Sequence, residues 1–224
     1  MFKKCLRLLA LVPLLSVAHP HAFIDMQSKV LVEKGELVGF SMQWVLDEPS
    51  SASIIYDLAQ STQPSDKQRL IDEAMKNIVN EHYFSYLFDK DKKKIKYKAQ
   101  PQNYGMKSNG TQVMYYFDFL LSKPQVLKEN QFELATYDPT YFVAMTYPTQ
   151  KKPTENKPIE NKPIEIKQSA VDFSQLPAQC TGKVIEPNVD EKMREYAASL
   201  DRSQRDEDPS LGKVFSQKVE IICN

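Results

Sequence analysis

Between residues 22 and 46 the chain alternates apolar and polar side chains. Phe23, Ser28, Val30 and Val32 lead into Lys34-Gly35-Glu36, and Phe40, Met42 and Trp44 then alternate with polar neighbours. Two period-two runs around a glycine-containing turn predict a β-hairpin. Asp47-Glu48-Pro49 ends the second strand, because proline has no N–H to give to a ladder. A short helix is expected over 50–59. From Ser65 the period changes. Ser65 and Gln68 have capping-box spacing, and Ile71, Ala74, Met75, Ile78 and His82 recur every three or four residues, one face of a helix. On that reading His82 faces the core.

Strand signals return after Tyr83, over 84–88, 95–98, 113–121 and 131–137. Residues 89–94 form a charged turn, and Asn109-Gly110 marks another. The nearly unbroken apolar run over 114–121 predicts a central strand. Residues 150–168 differ in kind: Glu155-Asn156-Lys157-Pro158-Ile159 repeats as Glu160-Asn161-Lys162-Pro163-Ile164, a low-complexity loop or linker. Beyond it, 190–200 reads as a helix and 213–222 as a last strand leading to Cys223. The expected class is α+β: a mainly antiparallel sheet with an N-terminal hairpin, one well-capped central helix and a disulfide-linked C-terminal segment. The expected divisions are 1–18, a main domain over 19–149, the 150–168 linker, and 169–224 packing on the main domain.

Residues 1–18 carry the marks of a secretory signal peptide. Lys3, Lys4 and Arg7 precede an apolar stretch over 8–17, and Ser16-Val17-Ala18 offers a small-x-small cleavage pattern. That stretch is too short for a spanning helix of about 20 residues. Cleavage after Ala18 removes three cations and no acids, leaving 26 basic against 29 acidic residues, a charge of about −3. No basic stripe interleaved with aromatics points to nucleic acid. The expected mature protein is periplasmic, with no membrane span of its own. Cys5 leaves with the signal. Cys180 and Cys223 remain as an even pair in an oxidising compartment, where a disulfide is expected.

The chemistry concentrates at the new terminus. Cleavage would make His19 the first residue, followed by Pro20 and His21. Its α-amine and the two imidazoles all ligate transition metals once deprotonated. Pro20 lacks the backbone N–H that the square-planar amino-terminal copper or nickel chelate must lose, so an open site completed by other side chains is expected. In an extended strand His19, His21, Phe23 and Asp25 share a face, which makes His19, His21 and Asp25 the candidate ligands. Nitrogen and oxygen donors of this kind suit Zn²⁺; the sequence leaves nickel, cobalt and copper open. Asp138 is a second-tier ligand candidate whose alternative role is an Asp-Pro turn. No nucleophile elbow, P-loop, dinucleotide fingerprint or zincin motif occurs, and an enzyme is not expected.

Several segments together resemble a family of exported bacterial proteins of unknown function encoded beside nickel/cobalt/zinc permeases of the NicO type. They are His19-Pro20-His21-Ala22-Phe23-Ile24-Asp25, Trp44 with Asp47-Glu48, Tyr83-Phe84-Ser85-Tyr86, Tyr137-Asp138-Pro139-Thr140-Tyr141-Phe142, and the paired Cys180 and Cys223. The resemblance is greatest to the periplasmic component of a Zev-type zinc-uptake pair. It implies an accessory protein that supplies zinc to an integral-membrane permease. The chain departs from the family over 59–66, where many relatives carry an Asp-rich, EF-hand-like loop. Here that stretch has a single acid, Asp66, too little ligand charge for calcium. Two rival readings stand beside zinc supply: a docking module that binds no metal, and a copper enzyme with a terminal histidine brace.

Overall fold

A computed structural model describes residues 20–148, 170–200 and 210–224. Residues 1–18, expected to be a signal peptide, together with His19 and the 150–168 segment, lie outside the described residues. Strands β1 (Ala22–Glu33) and β2 (Glu36–Leu46) form the expected hairpin, in antiparallel register from Ile24↔Leu46 to Glu33↔Glu36. Its two turn residues, Lys34 (φ 49°) and Gly35 (φ 80°), are both left-handed. That is the backbone twist a two-residue hairpin loop requires, and it is why glycine stands there.

Asp47 then starts α1 (Glu48–Gln60), accepting the Ser50 N–H at 2.7 Å. Helix α2 (Pro64–Asn80) buries Ile71, Met75 and Ile78 as the periodicity predicts. Its cap differs from the expected Ser65/Gln68 box. Gln63 is the N-cap, its N–H donates to the Asp66 carboxylate at 3.2 Å, and Pro64 occupies the first turn, where a missing N–H costs nothing.

The chain leaves α2 before His82. Residues His82–Phe84 form a single 3-10 turn, and His82, Tyr83 and Phe84 have φ of 53°, 56° and 49°. Left-handed backbone costs an L-residue about 1–2 kcal/mol, so three in succession need strong anchoring. Tyr83 supplies it. The ring is 2% exposed and stacks on Phe117 and Phe119 at 5.9 and 5.2 Å, and its hydroxyl donates to the Lys98 carbonyl at 3.0 Å. The turn carries His82 off the buried stripe into solvent, correcting the expectation that it faces the core.

The remaining elements are β3 (Ser85–Asp89), β4 (Lys94–Ile95), β5 (Gln102–Ser108), β6 (Val113–Val126), β7 (Gln131–Thr136), β8 (Val143–Thr146), β9 (Val171–Asp172), β10 (Cys180–Ile185), α3 (Glu191–Ser199), α4 (Leu211–Phe215) and β11 (Lys218–Cys223). The last strand begins at Lys218 rather than 213, because 211–215 is helical. One sheet has the order β5-β6-β2-β1-β8, with β9 also on β1; the other runs β10-β11-β7-β3-β4. Both are antiparallel except where β8 and β9 join β1 in parallel. The apolar run over 114–121 is interior, as expected, between β5 and β2.

The sheets share one core. Met26, Phe40, Met42, Trp44, Phe117 and Phe119 of the first sheet pack with Leu87, Phe132, Leu134, Val219 and Ile221 of the second, closed by Met75 and Ile78 of α2. Burying each such side chain contributes roughly 1.5–3 kcal/mol. Cys180 and Cys223 are cross-strand partners of β10 and β11, with Cα atoms 4.0 Å apart, and form the expected disulfide. Closing that loop contributes about 4 kcal/mol in the chain-entropy account. Since β11 also pairs with β7, the C-terminal strands β10 and β11 are part of the second sheet.

Candidate functional site

Strand β1 begins at a corner built by residues 137–142. Within that loop the Asp138 carboxylate accepts the Thr140 N–H and hydroxyl, both at 3.0 Å, and the Val143 N–H at 3.0 Å. Asp138 is 9% exposed. Its own carbonyl takes the Tyr141 N–H, and the Pro139 carbonyl takes the Gly212 N–H. A Cβ on Gly212 would lie 1.7 Å from the Asp138 carbonyl oxygen, so only glycine fits there. Aromatic stacks brace both flanks: Tyr137 on Tyr86 at 4.5 Å and Tyr141 on Phe215 at 4.3 Å. Asp138 is thus the hub of a loop, the turn role weighed against its candidacy as a ligand.

The Phe142 carbonyl of this loop accepts the His21 N–H at 2.9 Å, and the Phe142 and His21 rings lie 4.9 Å apart. Asp47 secures the next residues. Its carboxylate accepts the Phe23 N–H at 2.9 Å while its own N–H donates to the Phe23 carbonyl at 3.0 Å. The first predicted ligand among the described residues is therefore held at both backbone and ring.

Phe23 and Asp25 share the face of β1 turned away from the core, whereas Ile24 and Met26 pack inward; His21 lies in the bend just before the strand and is half-buried, its Nε2 enclosed. Phe23 is 52% exposed. Asp25 is exposed and lies opposite Thr146 of β8 and Val45 of β2. The flanking strands still withhold enough water from its carboxyl to raise the pKa above the ordinary value, and a hydrogen bond with Thr146 offsets only part of this. Asp25 stands four positions after His21, roughly 13 Å of extended chain. Among the described residues, no group of three or more His, Cys, Asp or Glu is close enough to hold a metal ion.

His82 lies elsewhere, on a cavity of about 460 Å³ that Lys94, Lys96 and Lys98 also line. Two features escaped the sequence reading. The Asp25–Thr146 contact depends on a parallel pairing between strands about 120 residues apart in the chain, for which no local signal exists. The lysine-lined cavity did leave a signal, the alternation Lys94-Ile95-Lys96-Tyr97-Lys98.

No helix among the described residues is long and apolar enough to cross a membrane. No solved structure matches the chain. An uncharacterized protein of Haemophilus influenzae is 53% identical over 207 residues, covering 92% of each chain. Residues 5–223 match a family described as "Protein of unknown function (DUF1007)". On that match, spanning nearly its whole length and its disulfide strands, the chain belongs to the DUF1007 family.

Proposed function

We propose that this is an exported, periplasmic metal-binding accessory protein that supplies zinc, or a related transition metal, to an integral-membrane permease of the NicO type for uptake. The observation that carries this reading is the seating of His21. The strand corner holds its backbone and ring, and His19 stands two residues before it in sequence. An ion there would take nitrogen from His21, from His19 and from the terminal amine left by cleavage after Ala18. Asp25, roughly 13 Å farther along the strand, is not placed to share that ion with His21. An incomplete ligand set favours transfer over permanent retention.

The test is zinc calorimetry on the exported chain, after intact mass has established His19 as its first residue. Replacing both His19 and His21 with alanine is expected to lower affinity at least tenfold while leaving the fold intact. Binding is also expected to weaken as pH falls through the ordinary histidine range, near 6.5. Equal binding by the double variant would overturn the proposal.

A second reading, a metal-free docking module on a membrane transporter, draws on the exposure of Phe23 beside the open face of β1. It predicts that Phe23→Ala abolishes permease association while zinc has no effect on it.

A further inference from the structure

Segment 94–98 leaves one sheet and joins the other. Leu87↔Ile95 pairing ties its start to β3, while the Ser122 N–H donates to the Lys96 carbonyl and the Lys98 N–H to the Leu120 carbonyl, both at 2.8 Å. Alternation turns Ile95 inward at 8% exposure and leaves Lys94, Lys96 and Lys98 exposed. Between this segment and the end of α2 lies the 460 Å³ cavity, within the range typical of ligand pockets. Its less exposed lining is apolar or aromatic: Val79, Tyr83, Ile95 and Tyr97. Its exposed lining is His82, Ala99 and the three lysines.

Two further observations converge on this place. Neither Lys96 nor Lys98 has a carboxylate within 4 Å among the described residues, and Lys94 sits 4.8 Å over the Tyr86 ring. Among the described residues, no acid lines the cavity. The second is backbone strain. The left-handed turn His82–Phe84 forms the opposite wall, and the Tyr83 hydroxyl ties it to Lys98 across the gap. Sparsely populated backbone held in place by its surroundings concentrates at binding sites.

We propose that this cavity binds an amphiphilic organic anion, a carboxylate or phosphate carrying an apolar body. The apolar body lies against Val79, Tyr83, Ile95 and Tyr97; the anionic group is met by Lys96, Lys98 and His82, with Lys94 at the edge. The site is independent of the metal reading, because none of its residues belongs to the β1 corner. The other account of these lysines is protection of a sheet edge against unwanted pairing, which predicts no ligand.

Calorimetry on the exported chain decides between them. Decanoate is expected to bind one to one, and decyltrimethylammonium, with the same tail and the opposite charge, to leave the protein unoccupied. Inorganic phosphate is expected to bind at least tenfold more weakly than decanoate. The Lys96→Gln/Lys98→Gln variant should lose at least tenfold in decanoate affinity with unchanged thermal unfolding, and Lys96→Arg/Lys98→Arg should retain it. Cosedimentation with phosphatidylglycerol vesicles, competed by decanoate, would identify the anion as a lipid. Decanoate binding without cosedimentation would identify a free amphiphile. Equal affinity for decanoate and the cationic probe overturns the proposal, as does wild-type affinity in the glutamine variant. Inorganic phosphate binding as tightly as decanoate overturns it too.

Discussion

Two tyrosine-bearing turns, 82–84 and 137–142, flank the same pair of strands, β3 and β7, and solve opposite problems. In 137–142 a carboxylate does the organising: both oxygens of Asp138 accept donors from the loop it builds. In 82–84 the backbone is strained, and an aromatic anchor holds it while the cations beside it find no carboxylate partner. Both look polar and motif-like in sequence. The difference teaches that a polar residue whose hydrogen bonds are consumed locally is a structural part, whereas charge left uncompensated over a cavity remains available for binding.

The largest expected effect falls on the anchor of the strained turn. Tyr83→Ala removes a buried ring stacked on two phenylalanines and should cost about 3–5 kcal/mol in denaturant unfolding. A cost below about 1 kcal/mol would show that Tyr83 does not hold the turn. Next comes the hub of the other loop. Asp138→Ala strands donors that now reach a charged acceptor and should cost about 2–3 kcal/mol. Since Asp138 is read as structural, zinc affinity should be unchanged once folding is restored by lower temperature. A specific loss of zinc binding would move Asp138 into the metal site.

A smaller effect of opposite sign is expected at His82. The side chain is exposed and φ is 53°, so His82→Gly should relieve left-handed strain and raise stability by about 0.5–1 kcal/mol. The same change should weaken decanoate binding. Destabilisation on the scale of a core deletion would restore the core-facing assignment.

The smallest effect concerns Asp25. Its folded pKa is raised, chiefly by desolvation, so the folded state holds the proton more tightly than the unfolded chain, where aspartate titrates near 3.9. The resulting stability is present in full below that value and is lost as pH rises through the higher folded pKa. At neutral pH the charged form therefore carries a small cost. Asp25→Asn should stabilise the protein by about 0.5 kcal/mol or less, given the exposure of the side chain. Stabilisation unchanged between pH 3 and pH 7 would show that the carboxylate charge is not its source.

The sequence by itself determined the elements whose information is local. Alternation and Lys34-Gly35 determined the first hairpin, because side-chain parity and left-handed turn backbone act over a few residues. Ile71, Met75 and Ile78 determined which face of α2 is buried, and the even pair of cysteines beyond residue 18 pointed to the joining of Cys180 with Cys223. The tertiary structure decided the rest. It chose β8 as the parallel partner of β1, setting Thr146 beside Asp25, and it drew 94–98 across both sheets so that the lysines rim a cavity. It also bent the chain after Asn80, taking His82 out of a helical stripe that sequence periodicity had carried one turn too far. Each of these outcomes depends on burial summed over segments far apart in the chain: anchoring Tyr83 against Phe117 and Phe119 outweighs the local backbone cost of the turn.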